Sequence, residues 1–341
     1  MHQKRSNPET AAWHRPHFLQ RHRQDMAAVR AELARGLISS PARLAPKYFY
    51  DALGSRLFDA ITELDEYYPT RTEAAIFQSH AQAIAQLVPA DAVWFDLGAG
   101  SCAKAASLFD AMRPGAYVPI DISVDYLRGA VFALQERHPS LPMLGLGLDF
   151  SSSLALPEEV DRWLGDHQLR SAHRCVFYPG SSIGNFMPTD ALQLLSQVHG
   201  VCAGGADGSG LLIGVDLVKD TAVLEPAYDD ALGVTAAFNR NLLRHVNRLL
   251  GSDFDPAKWR HLAFFDPHQS RIEMHLVAEE AQTVNWSGGV RHFARDERLH
   301  TENSYKWTVA GFEALLREAG FRLTRCWSDP RDWFGVFWAQ A

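Results

Sequence analysis

A parallel α/β sheet with a nucleoside site, joined to a second, smaller α+β domain, is the fold that this 341-residue sequence predicts. Three observations predict it. Val93 to Lys104, VWFDLGAGSCAK, runs from an apolar strand into an acid and two glycines. Tyr117 to Asp121, YVPID, and Leu144 to Asp149 are further apolar runs that end in a carboxylate. After Asp216 this alternation of strand and helix gives way to a long helical stretch and then to strand-like alternation. Buried parallel strands read as nearly continuous apolar runs, and open α/β sheets bind ligands beyond the carboxyl ends of their strands.

Residues 1–20 are polar, proline-interrupted and rich in His and Arg, and are expected to be disordered or loosely docked. His2, His14, His17 and His22 match no metal-ligand spacing and read as solvated surface. From Arg21 to Leu37, Met26, Val29, Leu33 and Leu37 recur at helical spacing. The next segment, PKYFYDALGSRLFDAITELDEYYPTRTEAAIF, is dense in aromatics, including Tyr48, Phe49, Tyr50, Phe58, Tyr67 and Tyr68. Most read as core, but a buried phenol needs a partner, and a tyrosine facing a cavity can hold an ammonium group. Thr70 and Glu73 have the spacing of a capping box, opening a helix that runs to about Leu87.

Gly98 and Gly100 let the backbone turn and approach a ligand, and the helix starting near Ala103 is expected to offer its N-terminus to it. Asp121 stands where a nucleoside fold places an acid on the ribose, and Asp149 with Phe150 suits a purine. Gly98, Gly100 and Ala103 also satisfy the looser dinucleotide pattern, but no G-x-x-x-x-G-K-[ST] phosphate cradle follows. S-adenosylmethionine, which has no phosphate, fits better.

The α/β run continues through helices Lys104–Met112 and Asp125–Arg137 and strand Cys175–Pro179 to the loop PGSSIGNF. Asn185 in that loop either closes a turn or faces a substrate. Helix Thr189–Val198 and strand Leu211–Asp216 complete the alternation. The insertion follows, and the sheet resumes near Lys306 with helix Val309–Ala319, a Gly320 cap, and strands Leu323–Trp327 and Trp333–Trp338 as a closing hairpin. The expected division is a substrate domain of residues 21–73 and 217–305 and a cofactor domain of residues 74–216 and 306–341.

The chain is 47% hydrophobic with a formal net charge of -7, so no overall positive field draws it to nucleic acid or acidic lipid. A small-molecule substrate is expected. The four cysteines form no C-x-x-C pair, and no apolar run reaches the ~18 residues that would span a bilayer. The reading is a cytoplasmic monomer without a metal.

The strings KYFYDALGSRLFDAITELDEYYPTRTEA, DLGAGSCAK, PGSSIGNF, DLVKD, AYDDALGVTAAFNRN, RIEMHL and HTENSYKW occur in this order. Together they resemble the histidine-specific N-alpha methyltransferase family, across nearly the whole chain after about residue 20. The resemblance implies a class I methyltransferase, Rossmann-like sheet with a substrate domain made from the N-terminal segment and the insertion. It implies S-adenosylmethionine as cofactor and three methyl transfers to the α-amino nitrogen of L-histidine, giving the betaine hercynine of ergothioneine biosynthesis. Gly98, Lys104, Asp121, Asp149 and Phe150 fall on cofactor positions, Lys104 either near the methionine carboxylate or as a loop anchor. Tyr50 falls on the catalytic position that orients the amine, and Tyr67, Asn185, Tyr228, Met274, Glu302 and Ser304 on the amino-acid pocket. Glu302 and Ser304 would hold the imidazole, Asn185 and Tyr228 the carboxylate and amine end.

The first motif departs from the family's frequent ELGSGTS-like string, and Asn303 between the two imidazole-facing residues could tune affinity. Methylation of another aromatic amino acid, such as tryptophan or a prenylated derivative, is the nearest rival, although indole would prefer an apolar wall to a polar clamp. An NAD-dependent dehydrogenase has only the loose glycine pattern in its favour. A non-catalytic binding protein would not be expected to keep the whole set of pocket residues.

Overall fold

The computed structural model describes residues 14–21, 25–122, 124–151, 153–322 and 324–341. Its main sheet has eight strands in the order β1 (His17–Gln20), β5 (Leu144–Gly147), β4 (Ala116–Asp121), β3 (Val93–Leu97), β6 (Arg174–Tyr178), β7 (Gly210–Asp216), β14 (Phe334–Gln340) and β13 (Thr324–Ser328). The first six in that order are parallel, and the last two form the expected antiparallel closing hairpin. This is the Rossmann-like class I methyltransferase arrangement. The chain reverses direction across the sheet between β3 and β6, which puts a crevice beyond their carboxyl ends.

Each central strand is buried on both faces, as its unbroken apolar sequence requires. Val93, Phe95 and Leu97 pack with α7 (Glu158–Asp166), α8 (Pro188–Ala203) and α11 (Val309–Glu318). Trp94, on the other face, packs with α3 (Tyr68–Ala85), α5 (Phe109–Met112) and α6 (Val124–Arg137). Pro119 lies inside β4 and has no N–H to donate. The β4–β5 ladder is accordingly interrupted there, pairing at Ile120 and Asp121 and again only at a Tyr117–Met143 bridge.

The smaller domain joins the N-terminal segment to the insertion, as predicted. A four-stranded sheet ordered β2 (Ala42–Arg43), β12 (Arg298–Tyr305), β9 (Arg271–Ala278) and β8 (Trp259–Asp266) shares one apolar core with α1 (Met26–Ile38), α2 (Ala52–Thr62) and α10 (Val234–Leu250). The hairpin of β10 (Gln282–Trp286) and β11 (Gly289–Phe293) closes one side. Phe49 stacks on Phe238 of α10 with ring centroids 4.5 Å apart. Asp25 caps α1 by accepting from the backbone of Ala27 and Ala28. Gly251 ends α10 at φ 73°, donating its N–H to Asn247, a left-handed stop that glycine adopts without a Cβ clash. A short α9 (Thr221–Leu224) leads from β7 into this domain.

The structure corrects three expectations. His17–Gln20 is an edge strand hydrogen-bonded to β5, not a loose tail. Residues 1–13, and with them His2, lie outside the described residues, as does His22. The single helix expected from Lys104 to Met112 is two short ones, α4 (Ala103–Ala106) and α5. The helix that starts at Ala103 is therefore a single turn. Thr70 and Glu73 form no capping box, because α3 begins earlier, at Tyr68, with Pro69 in its first turn. No helix among the described residues is long and apolar enough to cross a membrane.

Candidate active site

Gly98, Asp121, Asp149 and Phe150 meet at one edge of the main sheet because each follows, or ends, a neighbouring parallel strand. Gly98 and Gly100 have φ of 69° and 51°, conformations in which a Cβ is strained. A Cβ on Gly98 would stand 3.8 Å from the Phe150 ring, which packs edge-on to Tyr178. The Asp121 carboxylate accepts the Gly100 N–H at 3.1 Å, and Asp149 accepts the Ser151 N–H at 3.1 Å. An open glycine cradle, two carboxylates and an aromatic face suit a nucleoside without phosphate, so these residues fit S-adenosylmethionine.

Lys104, expected either near the methionine carboxylate or as a loop anchor, is paired with a buried acid. Its Nζ lies 2.7 Å from Glu73 Oε2, while Glu73 Oε1 accepts the Gly180 N–H at 2.8 Å. Glu73, only 1% exposed, thus ties the loop after β3 to the loop after β6 across the crevice. Sequence reasoning missed this role because the local spacing matched a helix cap.

A cavity of about 590 Å³, counted with its mouth, opens beside this edge. All seven expected pocket residues line it: Tyr50, Tyr67, Asn185, Tyr228, Met274, Glu302 and Ser304. Phe58 and Phe238 extend its aromatic wall. Tyr50 packs edge-on against both, at 5.8 and 5.9 Å, and Tyr67 edge-on against Tyr228 at 6.4 Å. Tyr50 keeps 38% of its surface open, yet its hydroxyl is crowded within the site. That burial, together with Glu302, Tyr67, Tyr178 and Tyr228, raises its pKa well above 10, so the phenol stays protonated.

Glu302 and Ser304 face the cavity from same-face positions of β12, and Glu302 pairs across the sheet with Met274. Between His300 and Glu302 the register shifts by a bulge, where the Thr301 hydroxyl donates to the Met274 carbonyl. Strict alternation would put His300 on the same face as Glu302. The bulge instead sends its ring to Asn303 on the opposite face, with Nε2 to Oδ1 at 2.8 Å. Asn303 therefore faces away from the cavity and is not among the residues that line it. The Glu302 carboxyl, 8% exposed, receives no hydrogen bond among the described residues. Burial pushes it up to about 8, against the opposing pull of Lys306.

The strongest polar assembly of the site was not expected at all. Asp216, at the end of β7, is 1% exposed and lies 2.7 Å from Lys306 Nζ and 2.6 Å from Lys219 Nζ. The Tyr68 hydroxyl donates to it at 2.8 Å, and the Ser181 hydroxyl accepts its backbone N–H. Burial pushes the Asp216 carboxyl up, but Lys306 and Lys219 more than offset this and hold it below the usual range. Lys306 also donates to the Tyr228 hydroxyl at 2.8 Å and to Ser304 Oγ at 2.9 Å, and those two oxygens are 2.8 Å apart. Tyr228 and Ser304, expected at different ends of a substrate, are therefore one hydrogen-bonded unit. The available signal was DLVKD and SYKW, each with a lysine beside an apolar strand end.

Comparison with known proteins gives the family. The family model described as histidine-specific methyltransferase, SAM-dependent, matches residues 29–341. The chain is 40% identical over 315 residues to the histidine N-alpha-methyltransferase of Mycolicibacterium smegmatis, covering 91% of this chain and 94% of that one. It is 37% identical over 316 residues to the protein of the same name from Mycobacterium tuberculosis, with the same coverage. The N-methyltransferase imqF of Aspergillus flavus is 26% identical over 311 residues, 89% of this chain and 82% of its own. A match of this length to the family model, over the same stretches that build the crevice and the cavity, makes this chain a member of the S-adenosylmethionine-dependent histidine-specific methyltransferase family.

Proposed function

We propose that this methyltransferase transfers three methyl groups to the α-amino nitrogen of L-histidine, giving hercynine as in ergothioneine biosynthesis. The observation that carries the reading is the pairing, in one cavity, of a Glu302 and Ser304 clamp with an aromatic wall of Tyr50, Tyr67, Phe58 and Phe238. Imidazole offers one donor and one acceptor nitrogen, which a carboxyl and a hydroxyl satisfy. An indole has no second nitrogen to answer Ser304. The names of the relatives at 40% and 37% identity point the same way.

Gly98, Asp121, Asp149 and Phe150 would hold S-adenosylmethionine, with Lys104 and Glu73 fixing the loop around it. The bound sulfonium supplies an electrophilic methyl carbon. The protein's task is then to present a neutral amine in line with it, since orientation lowers the barrier without a covalent intermediate. Tyr50, protonated throughout, orients the amine through its hydroxyl, and water takes the proton. Asn185 holds the carboxylate end, with Tyr228 standing between it and the ring clamp. The aromatic faces accommodate the growing fixed charge by cation–π attraction. The deciding experiment is mass spectrometry after incubation with S-adenosylmethionine and each amino acid in turn. Histidine gaining three methyl masses is expected, and gain on tryptophan alone would replace the substrate.

Tyr50→Phe should cut the first methylation sharply, and near-normal turnover would remove Tyr50 from the mechanism. Glu302→Ala should weaken histidine binding by about 1 to 3 kcal/mol, the cost of leaving a buried ring N–H without its acceptor, and an unchanged KM would count against the clamp. Glu302 also carries a stability cost. Its folded pKa of about 8 lies above the ordinary 4.5, so between those values the folded state holds a proton the unfolded state has lost. Stability therefore declines as pH rises from about 4.5 to about 8, by roughly 3 kcal/mol at pH 7 for this group alone. Glu302→Gln should flatten that part of the unfolding free energy measured against pH. Glu73→Gln places an amide N–H against either Lys104 or the Gly180 N–H, so the affinity for S-adenosylhomocysteine, read by calorimetry, should fall about tenfold or more.

A further inference from the structure

The Lys306 ammonium, with none of its side chain exposed, has three hydrogens and three partners: Asp216, Tyr228 and Ser304. An ammonium can only donate, so both hydroxyl oxygens must spend a lone pair on it. Two hydroxyl hydrogens remain, and the 2.8 Å contact between Tyr228 and Ser304 uses one of them. A phenol is the more acidic donor and an alkyl hydroxyl the better acceptor, so Tyr228 donates to Ser304. Ser304 then has both lone pairs filled and one hydrogen free. We infer that Lys306 is a positioning residue: by loading the Ser304 oxygen together with Tyr228, it makes Ser304 donor-only and lets the pocket admit a bare ring nitrogen while rejecting imidazolium.

This rests on the histidine reading proposed above and deepens it. Glu302 accepts the ring N–H, Ser304 donates to the other nitrogen, and one tautomer of neutral histidine satisfies both. A doubly protonated ring would point N–H at O–H. Most of the surrounding groups keep one charge state between pH 5.5 and 7.5. Asp216 keeps its charge, with Lys219 and Tyr68 packed on it, and the Tyr50, Tyr67, Tyr178 and Tyr228 phenols are all raised by burial. His261, bonded through Nε2 to the Tyr228 carbonyl, is depressed by burial, with Asp229 nearby. His275 is pushed down to about 4, and it and His300 lie on the far side of the small sheet beside Glu273 and Arg271. Burial brings Glu302 up and Lys219 down to about 8, so below pH 7 the Glu302 carboxyl is largely protonated and accepts the ring N–H through its carbonyl oxygen, while Lys219, with Asp216 and Asp329 beside it, stays charged.

The test is calorimetric binding of histidine to the full chain saturated with S-adenosylhomocysteine, between pH 5.5 and 7.5. With wild-type protein the dissociation constant should rise about tenfold per pH unit below ~6.5, where free imidazole protonates. Lys306→Met frees a lone pair on Ser304, which can then accept an imidazolium N–H, so the rise should shrink to about twofold or less. Tyr228→Phe, which leaves the Asp216–Lys306 pair intact, should flatten the profile in the same way and decides the matter if Lys306→Met does not fold. Wild-type steepness in either folded variant overturns the role of Lys306 and leaves the histidine reading standing. Failure of wild-type protein to bind histidine at any pH overturns both.

Discussion

The buried carboxylate of Asp216 is the point on which the two domains meet. It ends β7, the last strand of the parallel run, and its partners come from α3, from the loop after β6, from the segment after β7 and from the residue following β12. Taking such charges out of water is expensive, and their mutual attraction compensates only when the remaining lone pairs and protons are also satisfied. Here they are. Both carboxylate oxygens are bonded, and every hydrogen of Lys306 has an acceptor. The arrangement sets one carboxylate against two ammonium groups. Lys306 also acts on Glu302, whose carboxyl it draws down while burial pushes it up. A group balanced in this way near neutrality can take up or release a proton as its surroundings change.

A bulge does as much as the charges to define the cavity. The β12 strand carries His300, Glu302 and Ser304 at even spacing, and an unbroken pleat would place all three on one face. The shift at Thr301 separates them. His300 joins His275, Glu273, Arg271, Asn303 and Tyr305 in a ladder on one side, while Glu302 and Ser304 keep the other. Without the bulge, an imidazole belonging to the protein would stand where an imidazole substrate is proposed to sit.

Much of this was legible in the sequence where the cause is local. Apolar runs, glycines at strand ends and carboxylates after them are properties of short windows, and Gly98, Asp121, Asp149 and Phe150 came together where strand order alone would put them. The aromatic density between Tyr48 and Tyr68 likewise pointed to a cavity wall. What was not legible is pairing across long separations. Glu73 has the spacing of a cap, but its carboxylate is more than satisfied by a lysine 31 residues away and a backbone N–H 107 residues away. Tyr68 and Asp216 are separated by 148 residues, and nothing in either window announces the other. The strand at His17–Gln20 escaped for a different reason: four residues in a polar context make no pattern, and only the free edge of β5 gives them a place.

Stability alone gives no account of Glu302. A carboxyl with 8% exposure and no hydrogen bond among the described residues raises the free energy of the folded chain, and an apolar side chain would serve the core better. Met274, its cross-strand neighbour, shows that the same wall tolerates such a residue. The same reasoning separates Glu302 from Asp216. Asp216 is repaid within the protein by two lysines and a tyrosine, so it reads as architecture. Glu302 has no hydrogen bond from the described residues and faces the cavity instead. In the reading proposed above, histidine brings a ring N–H to Glu302 on the floor of an aromatic-walled cavity and a bare ring nitrogen to the Ser304 hydroxyl, whose oxygen is already engaged by Lys306 and Tyr228.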